Sequence, residues 1–287
     1  MTAQTSVSPR LRLGRWSALA SLGAGLVSIV GLFVIVPTAT ALPGMLGSGF
    51  QDMGAGVLLE KLIWFAPVFL IVAVFARRAP GVRAFATRAD RRLFVWGAGL
   101  VTMIVLYLII RLAQGPDSDT FATLKDMGFF KSDLKDVLQV LAIGCVGPVA
   151  EEFIFRGLIY RSVRDFGIRA SGRFGGSPRL WYWLSIALAL VISGYTFLQI
   201  HTGTPVLYFL MATAFAGVYE FTGSLQAASF AHALNNSAVM LLAAASAGAG
   251  SLLMYAVCVA CPFLALALTR LVGRAIGDDN SQIATDS

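Results

Sequence analysis

The chain has 287 residues, of which 57% fall in the set AVILMFWYC and only 13% are charged, with a formal net charge of +7. Soluble domains run nearer half apolar even with glycine counted, and about a quarter charged. So few charges cannot cover a water-soluble globule of this size, and so apolar a chain does not stay disordered. What remains is an integral membrane protein with several spans. The positive excess and the pI near 9.7 do not point to nucleic acid. The arginines sit in short loops between apolar runs, as they do in the cytoplasmic loops of membrane proteins.

Crossing about 30 Å of hydrocarbon at about 1.5 Å per residue takes roughly 20 apolar residues. In chain order the runs that meet this length are about 17–37, 57–76, 93–113, 137–160, 180–200, 205–222, 225–246 and 250–270. The segment ahead of the first is polar and carries Arg10, Arg12 and Arg15. Ala39-Thr40-Ala41 resembles a small-residue cleavage site. The apolar core before it is longer than the roughly 7–15 residues of a signal peptide, so the reading is a retained first helix. Glu60 and Lys61 in the second run and Arg111 in the third lie near helix ends, where snorkelling to the interface suffices.

Loop charge sets the orientation. Arg77, Arg78, Arg83, Arg88, Arg91 and Arg92 crowd the loop after the second run. Arg161, Arg164, Arg169, Arg173 and Arg179 crowd the one after the fourth, and Arg270 and Arg274 close the eighth. Residues 38–56 carry no Lys or Arg, and 114–136 carry more Asp than Lys. This alternation predicts a multi-pass cell-membrane protein with both termini in the cytoplasm. The fold class is therefore all-α: a polytopic membrane bundle of about eight helices, enclosing a water-accessible chamber. There is no internal repeat. The chain divides into 1–136 (N-terminal segment and three undiagnostic spans), 137–245 (the motif-bearing core) and 246–287 (last span and polar tail), within one membrane domain.

Cys145, Cys258 and Cys261 all stand in apolar stretches, and the CxxC of the last two has no second ligand pair nearby. They read as small packing residues.

An ionisable group near the bilayer centre costs about 2.5–3.5 kcal/mol on insertion scales, so each one needs a reason. The fourth run leads directly into Glu151, Glu152 and Arg156. Glu152 and Arg156 are four apart, in the favoured order for an ion pair on one helix face. Glu151 is turned about 100° away and is the less neutralised carboxylate, suited to a general base or a metal ligand. The two histidines of the chain also fall in or beside apolar runs: His201, with Phe197 one turn before it, and His232, with Asn236 (or Asn235) one turn after it. A carboxylate and an imidazole can take a proton from water. A second imidazole and an amide can donate to a developing oxyanion. There is no GxSxG and no HExxH. A zinc site of Glu151, His201 and His232, drawn from three helices, is the chemical alternative to a cofactor-free site.

Taken in order, these residues resemble the CAAX protease and bacteriocin-processing family of intramembrane endopeptidases. That family carries EExxxR, FxxxH and HxxxN on successive helices. Here they read Glu151-Glu152-Phe-Ile-Phe-Arg156, Phe197-Leu-Gln-Ile-His201 and His232-Ala-Leu-Asn-Asn236. The approach to the last motif, with Gly217 and Gly223, is similar too. The resemblance, which covers about 137–245, implies a glutamate-dependent endopeptidase acting on a peptide or protein substrate at the bilayer. It implies that Glu151 and His201 activate water and that His232 and Asn236 form the oxyanion hole. Glu152 and Arg156 would hold the site's shape. Members have also been described as metal-dependent. Rival readings are an ion-coupled transporter, which internal repeats would favour, and a non-catalytic immunity or scaffold protein. One feature resists the scheme. Straight helices over 137–160 and 180–200 would leave His201 near the face of the membrane opposite to Glu151, unless the fifth span starts below the surface or the loop after His201 dips inward.

Overall fold

The computed structural model describes residues 133–275 almost throughout, together with Leu124, Lys125, Phe129 and scattered residues between 23 and 66. The expected spans at 17–37, 57–76 and 93–113 lie largely or wholly outside the described residues, as do the arginine-rich stretch between 77 and 92 and the tail after 275. Among the described residues there is no strand. The all-α membrane class expected from composition holds.

One helix runs unbroken through the first part of the core. It comprises α1 (Asp133–Leu141), a π-helical turn π1 (Ala142–Val146), α2 (Gly147–Glu152), a second π segment π2 (Phe153–Tyr160) and α3 (Arg161–Phe174). It is followed by α4 (Pro178–Gln199), α5 (Pro205–Thr222), α6 (Leu225–Ser246) and α7 (Leu252–Ala275). Among the described residues, the stretches Asp133–Ala170, Arg179–Gln199 and Leu252–Ala275 are long and apolar enough to cross a bilayer. α5 and α6 are not in that set. α6 carries Gln226, Ser229, His232, Asn235, Asn236 and Ser237 within an otherwise apolar sequence.

The first π turn has a cause in the sequence. Pro148 has no N–H to give the carbonyl four residues back, and its ring crowds that carbonyl. The helix widens instead, and the Gly147 N–H reaches back five residues to Ala142 O. Such single-turn bulges gather at functional sites. They free carbonyls, and each π segment here has one that takes a side-chain donor. Asn236 Nδ2 donates to Ile143 O at 2.9 Å, and Ser193 Oγ donates to Phe155 O at 3.2 Å.

Residues 161–174, expected as a loop, are helical instead. The stretch lacks an apolar run, but Arg161 pairs with Asp165 one turn on at 3.5 Å, and Arg164 is buried against α5. The helix stops at Gly175, whose φ of +69° glycine adopts freely. The chain then reverses into α4, where Trp181 Nε1 donates to Gly175 O at 2.7 Å. Small residues let the helices approach closely. A Cβ on Gly167 would collide with Ser185, and one on Gly194 would lie 2.7 Å from a ring carbon of Phe209.

This hairpin removes the depth conflict. The turn occupies 175–177, so Glu151 lies 24 residues before it and His201 lies 24 residues after it. Two antiparallel helices of equal rise bring the two residues level. The conflict came from ending the fourth span at 160.

The core is a contiguous cluster that includes Val140, Val149, Phe155, Phe197, Leu225, Met240 and Met254. All three cysteines are buried and free, as expected of packing residues, and Cys261 Sγ lies 3.6 Å from Val140 O, within reach to donate.

Candidate active site

The site forms where α2 and π2, the end of α4, α5 and α6 face one another. Glu151 and Glu152 end the short α2 turn and point in different directions. Glu152 and Arg156 are both completely buried, and Arg156 Nη1 lies 3.1 Å from Glu152 Oε1. The other guanidinium branch, Nη2, donates to Ala212 O on α5 at 2.7 Å. The guanidinium carbon lies 5.3 Å from the ring centres of Phe197 and Phe215 and 5.9 Å from that of Phe155. Arg156 thus ties π2 to α4 and α5 through an ion pair, a charge-assisted hydrogen bond and three aromatic rings.

Both histidines are fixed from behind. His201 Nδ1 lies 2.8 Å from Phe197 O, and a carbonyl only accepts, so Nδ1 carries the proton. His232 Nδ1 donates to Glu152 Oε1 at 2.9 Å. Rings hold the planes as well. His201 is sandwiched between Phe197 at 4.1 Å and Tyr208 at 4.8 Å, and His232 stacks on Phe215 at 4.3 Å. With each Nδ1 engaged, each Nε2 is left facing inward.

Both Nε2 atoms face the same carboxylate oxygen. Glu151 Oε2 lies 3.6 Å from His201 Nε2 and 3.8 Å from His232 Nε2. These separations are too long for direct hydrogen bonds. Glu151 Oε2 is buried and accepts no hydrogen bond among the described residues. The side chains of His201 and Lys61 are 21% and 16% exposed, against 6% for Glu151 and 2% for His232, so the cluster opens on the His201 and Lys61 side.

Asn236 stands one turn beyond His232 on α6, half-buried. Its Oδ1 accepts from Asn235 Nδ2 at 3.2 Å while its Nδ2 donates to Ile143 O. One amide hydrogen is therefore committed to the Ile143 carbonyl in π1, and the second is left over. Among the described residues no group of three or more His, Cys, Asp or Glu side chains could hold a metal ion.

Residues 133–238 match the model of the Rce1-like family, type II CAAX prenyl endopeptidase Rce1-like. This bears out the resemblance carried by the three motifs. No curated protein and no solved structure matches the chain. The Rce1-like region begins with α1 and ends inside α6, so it takes in every motif residue and omits α7. The Phe197 ring stacks on His201, and its backbone carbonyl anchors His201 Nδ1.

Four residues of the site were not singled out by sequence. Phe215 and Tyr208, both in the Rce1-like region, carry no signal against other aromatics in α5. Pro148 reads as an ordinary helix proline until the π turn ahead of it, where Ile143 O meets Asn236, is seen. Lys61, outside that region, was expected to snorkel to the interface. Instead its Nζ lies 3.6 Å from Glu151 Oε1, which corrects that expectation.

Proposed function

We propose that this chain is a membrane-embedded endopeptidase that hydrolyses peptide bonds near the bilayer surface, with water as the nucleophile. The observation that carries the reading is the convergence of two anchored imidazoles on one oxygen of Glu151. Water held there gives a proton to Glu151 while its oxygen attacks the peptide carbonyl, and His201 Nε2 orients the attacking lone pair. A carboxylate within one water of its target has the reach of a general base. When the tetrahedral adduct collapses, the C–N bond breaks and Glu151 returns the proton to the leaving amine.

Charge that develops on the carbonyl oxygen needs donors. His232 has the Nδ1–carboxylate arrangement that supports an imidazolium, whose Nε2–H then donates to the oxyanion. The uncommitted amide hydrogen of Asn236 is the second donor. Each such donor contributes about 2.7–4 kcal/mol to the transition state in a dry site. Glu152, Arg156 and Phe197 support this set without touching substrate. The reading needs no metal or other cofactor. It places the protein in the cell membrane with both termini in the cytoplasm, and its partners are the bilayer and a peptide or protein substrate.

The test uses the purified protein in lipid vesicles with reporter peptides, with and without a prenylated cysteine. Wild type is expected to cleave one class or both, and Glu151→Gln neither. Full activity in the Gln variant removes Glu151 from its role. The substrate arm that is cut decides between prenylated and unmodified targets.

A further inference from the structure

We propose that Lys61 is a positioning residue for Glu151: it fixes the orientation of the carboxylate and balances its charge. This rests on the hydrolytic reading above and extends it to a residue outside the matched region. Glu151 presents two different oxygens. Oε2 faces the imidazoles, while Oε1 lies 3.6 Å from Lys61 Nζ. Arg156, the other buried cation at the site, sits on Glu152 and Ala212 O and leaves the far side of Glu151 to Lys61.

The lysine stem is guided to that place. It crosses Gly147, one turn before Glu151: a Cβ on that glycine would lie 3.6 Å from both Cδ and Cε of Lys61. The ammonium therefore arrives alongside the helix and beneath the carboxylate. A second consideration is charge. Two carboxylates sit in a low-dielectric bundle, where isolated charge is disfavoured; Arg156 pairs with Glu152, and Lys61 Nζ is the cation that faces Glu151 Oε1. Lys61 keeps Glu151 both ionised and turned so that Oε2, and not Oε1, meets the water. It touches neither water nor scissile bond, so its effect falls on turnover and not on substrate binding.

The experiment compares Lys61→Met, Lys61→Gln and Lys61→Arg with wild type and Glu151→Gln in the vesicle assay, and follows thermal unfolding in detergent. Met and Gln are expected to lower kcat on the order of 10²-fold, the scale of a misplaced catalytic group. KM and the unfolding midpoint should stay near wild type, and Arg should restore most of the rate. Wild-type kcat in both Met and Gln variants overturns the inference. So does a loss that Arg does not rescue, or one that tracks the unfolding midpoint. If Lys61 variants are fully active while Glu151→Gln is dead, only this inference fails. If Glu151→Gln is active, the hydrolytic reading fails first.

Discussion

Two buried charge clusters share the same long helix and are built to different standards. Around Arg164 every contact is short. Its Nη1 reaches Glu220 Oε2 at 2.7 Å, and its Nε and Nη2 reach Asp165 Oδ1 at 2.9 and 2.7 Å. Tyr160 and Tyr182 add hydroxyl donors to Glu220 at 3.1 and 3.2 Å. Around Glu151 the contacts stretch to 3.6 and 3.8 Å, and a buried carboxylate oxygen takes no donor among the described residues. The first cluster pairs each guanidinium nitrogen of Arg164 with a carboxylate and clamps α3, α4 and α5 together. The second leaves its inner atoms unpaired, which is destabilising in the folded state and useful only if something else is to be bound there. Stability and chemistry are thus separated along one helix by little more than three turns.

Breaking each cluster in turn sharpens this contrast. The largest effect is expected at Glu151. Replacement by Gln preserves shape and removes the base, so cleavage should fall by at least about 10²–10⁴-fold with the unfolding midpoint unchanged. Asn236→Ala should lower kcat by about 10²–10³-fold as an oxyanion donor. It also uncovers Ile143 O, so its midpoint should drop slightly, and a drop in midpoint with kcat intact would reduce Asn236 to a cap. Glu220→Gln should do the opposite of Glu151→Gln. It should destabilise the protein by about 1–3 kcal/mol in denaturant titration, since Arg164 loses a charged acceptor, with kcat per folded molecule near wild type. The smallest effect is expected from chelation: excess EDTA should leave the rate within error, and a loss restored only by zinc would favour the metal alternative.

Much of the architecture was legible because its causes are local in sequence. The last four helices, α4 to α7, follow apolar runs, and the Glu152–Arg156 pair follows helical spacing. What was not legible depends on partners distant in the chain. Residues 161–174 look like a charged loop until Arg164 is seen buried against Glu220, and that one misreading put His201 at the wrong depth. Ile143, in the π turn ahead of Pro148, carries no sign that its carbonyl will be met by Asn236, 93 residues later. Lys61 near the start of an apolar run has the same pattern whether it snorkels outward or turns in toward a carboxylate. Roles for Glu151, His201 and His232 could be drawn from residue type. The atom that joins them, Glu151 Oε2, could not.

The central claim is that Glu151 and His201 act on one water as a single unit. The most direct test is kcat/KM for wild type, Glu151→Gln, His201→Ala and the double variant on the same reporter peptide. Groups that work together lose their effect together. The account predicts a double variant no slower than the slower single variant. Losses that multiply, or a Glu151→Gln enzyme as fast as wild type, would contradict it.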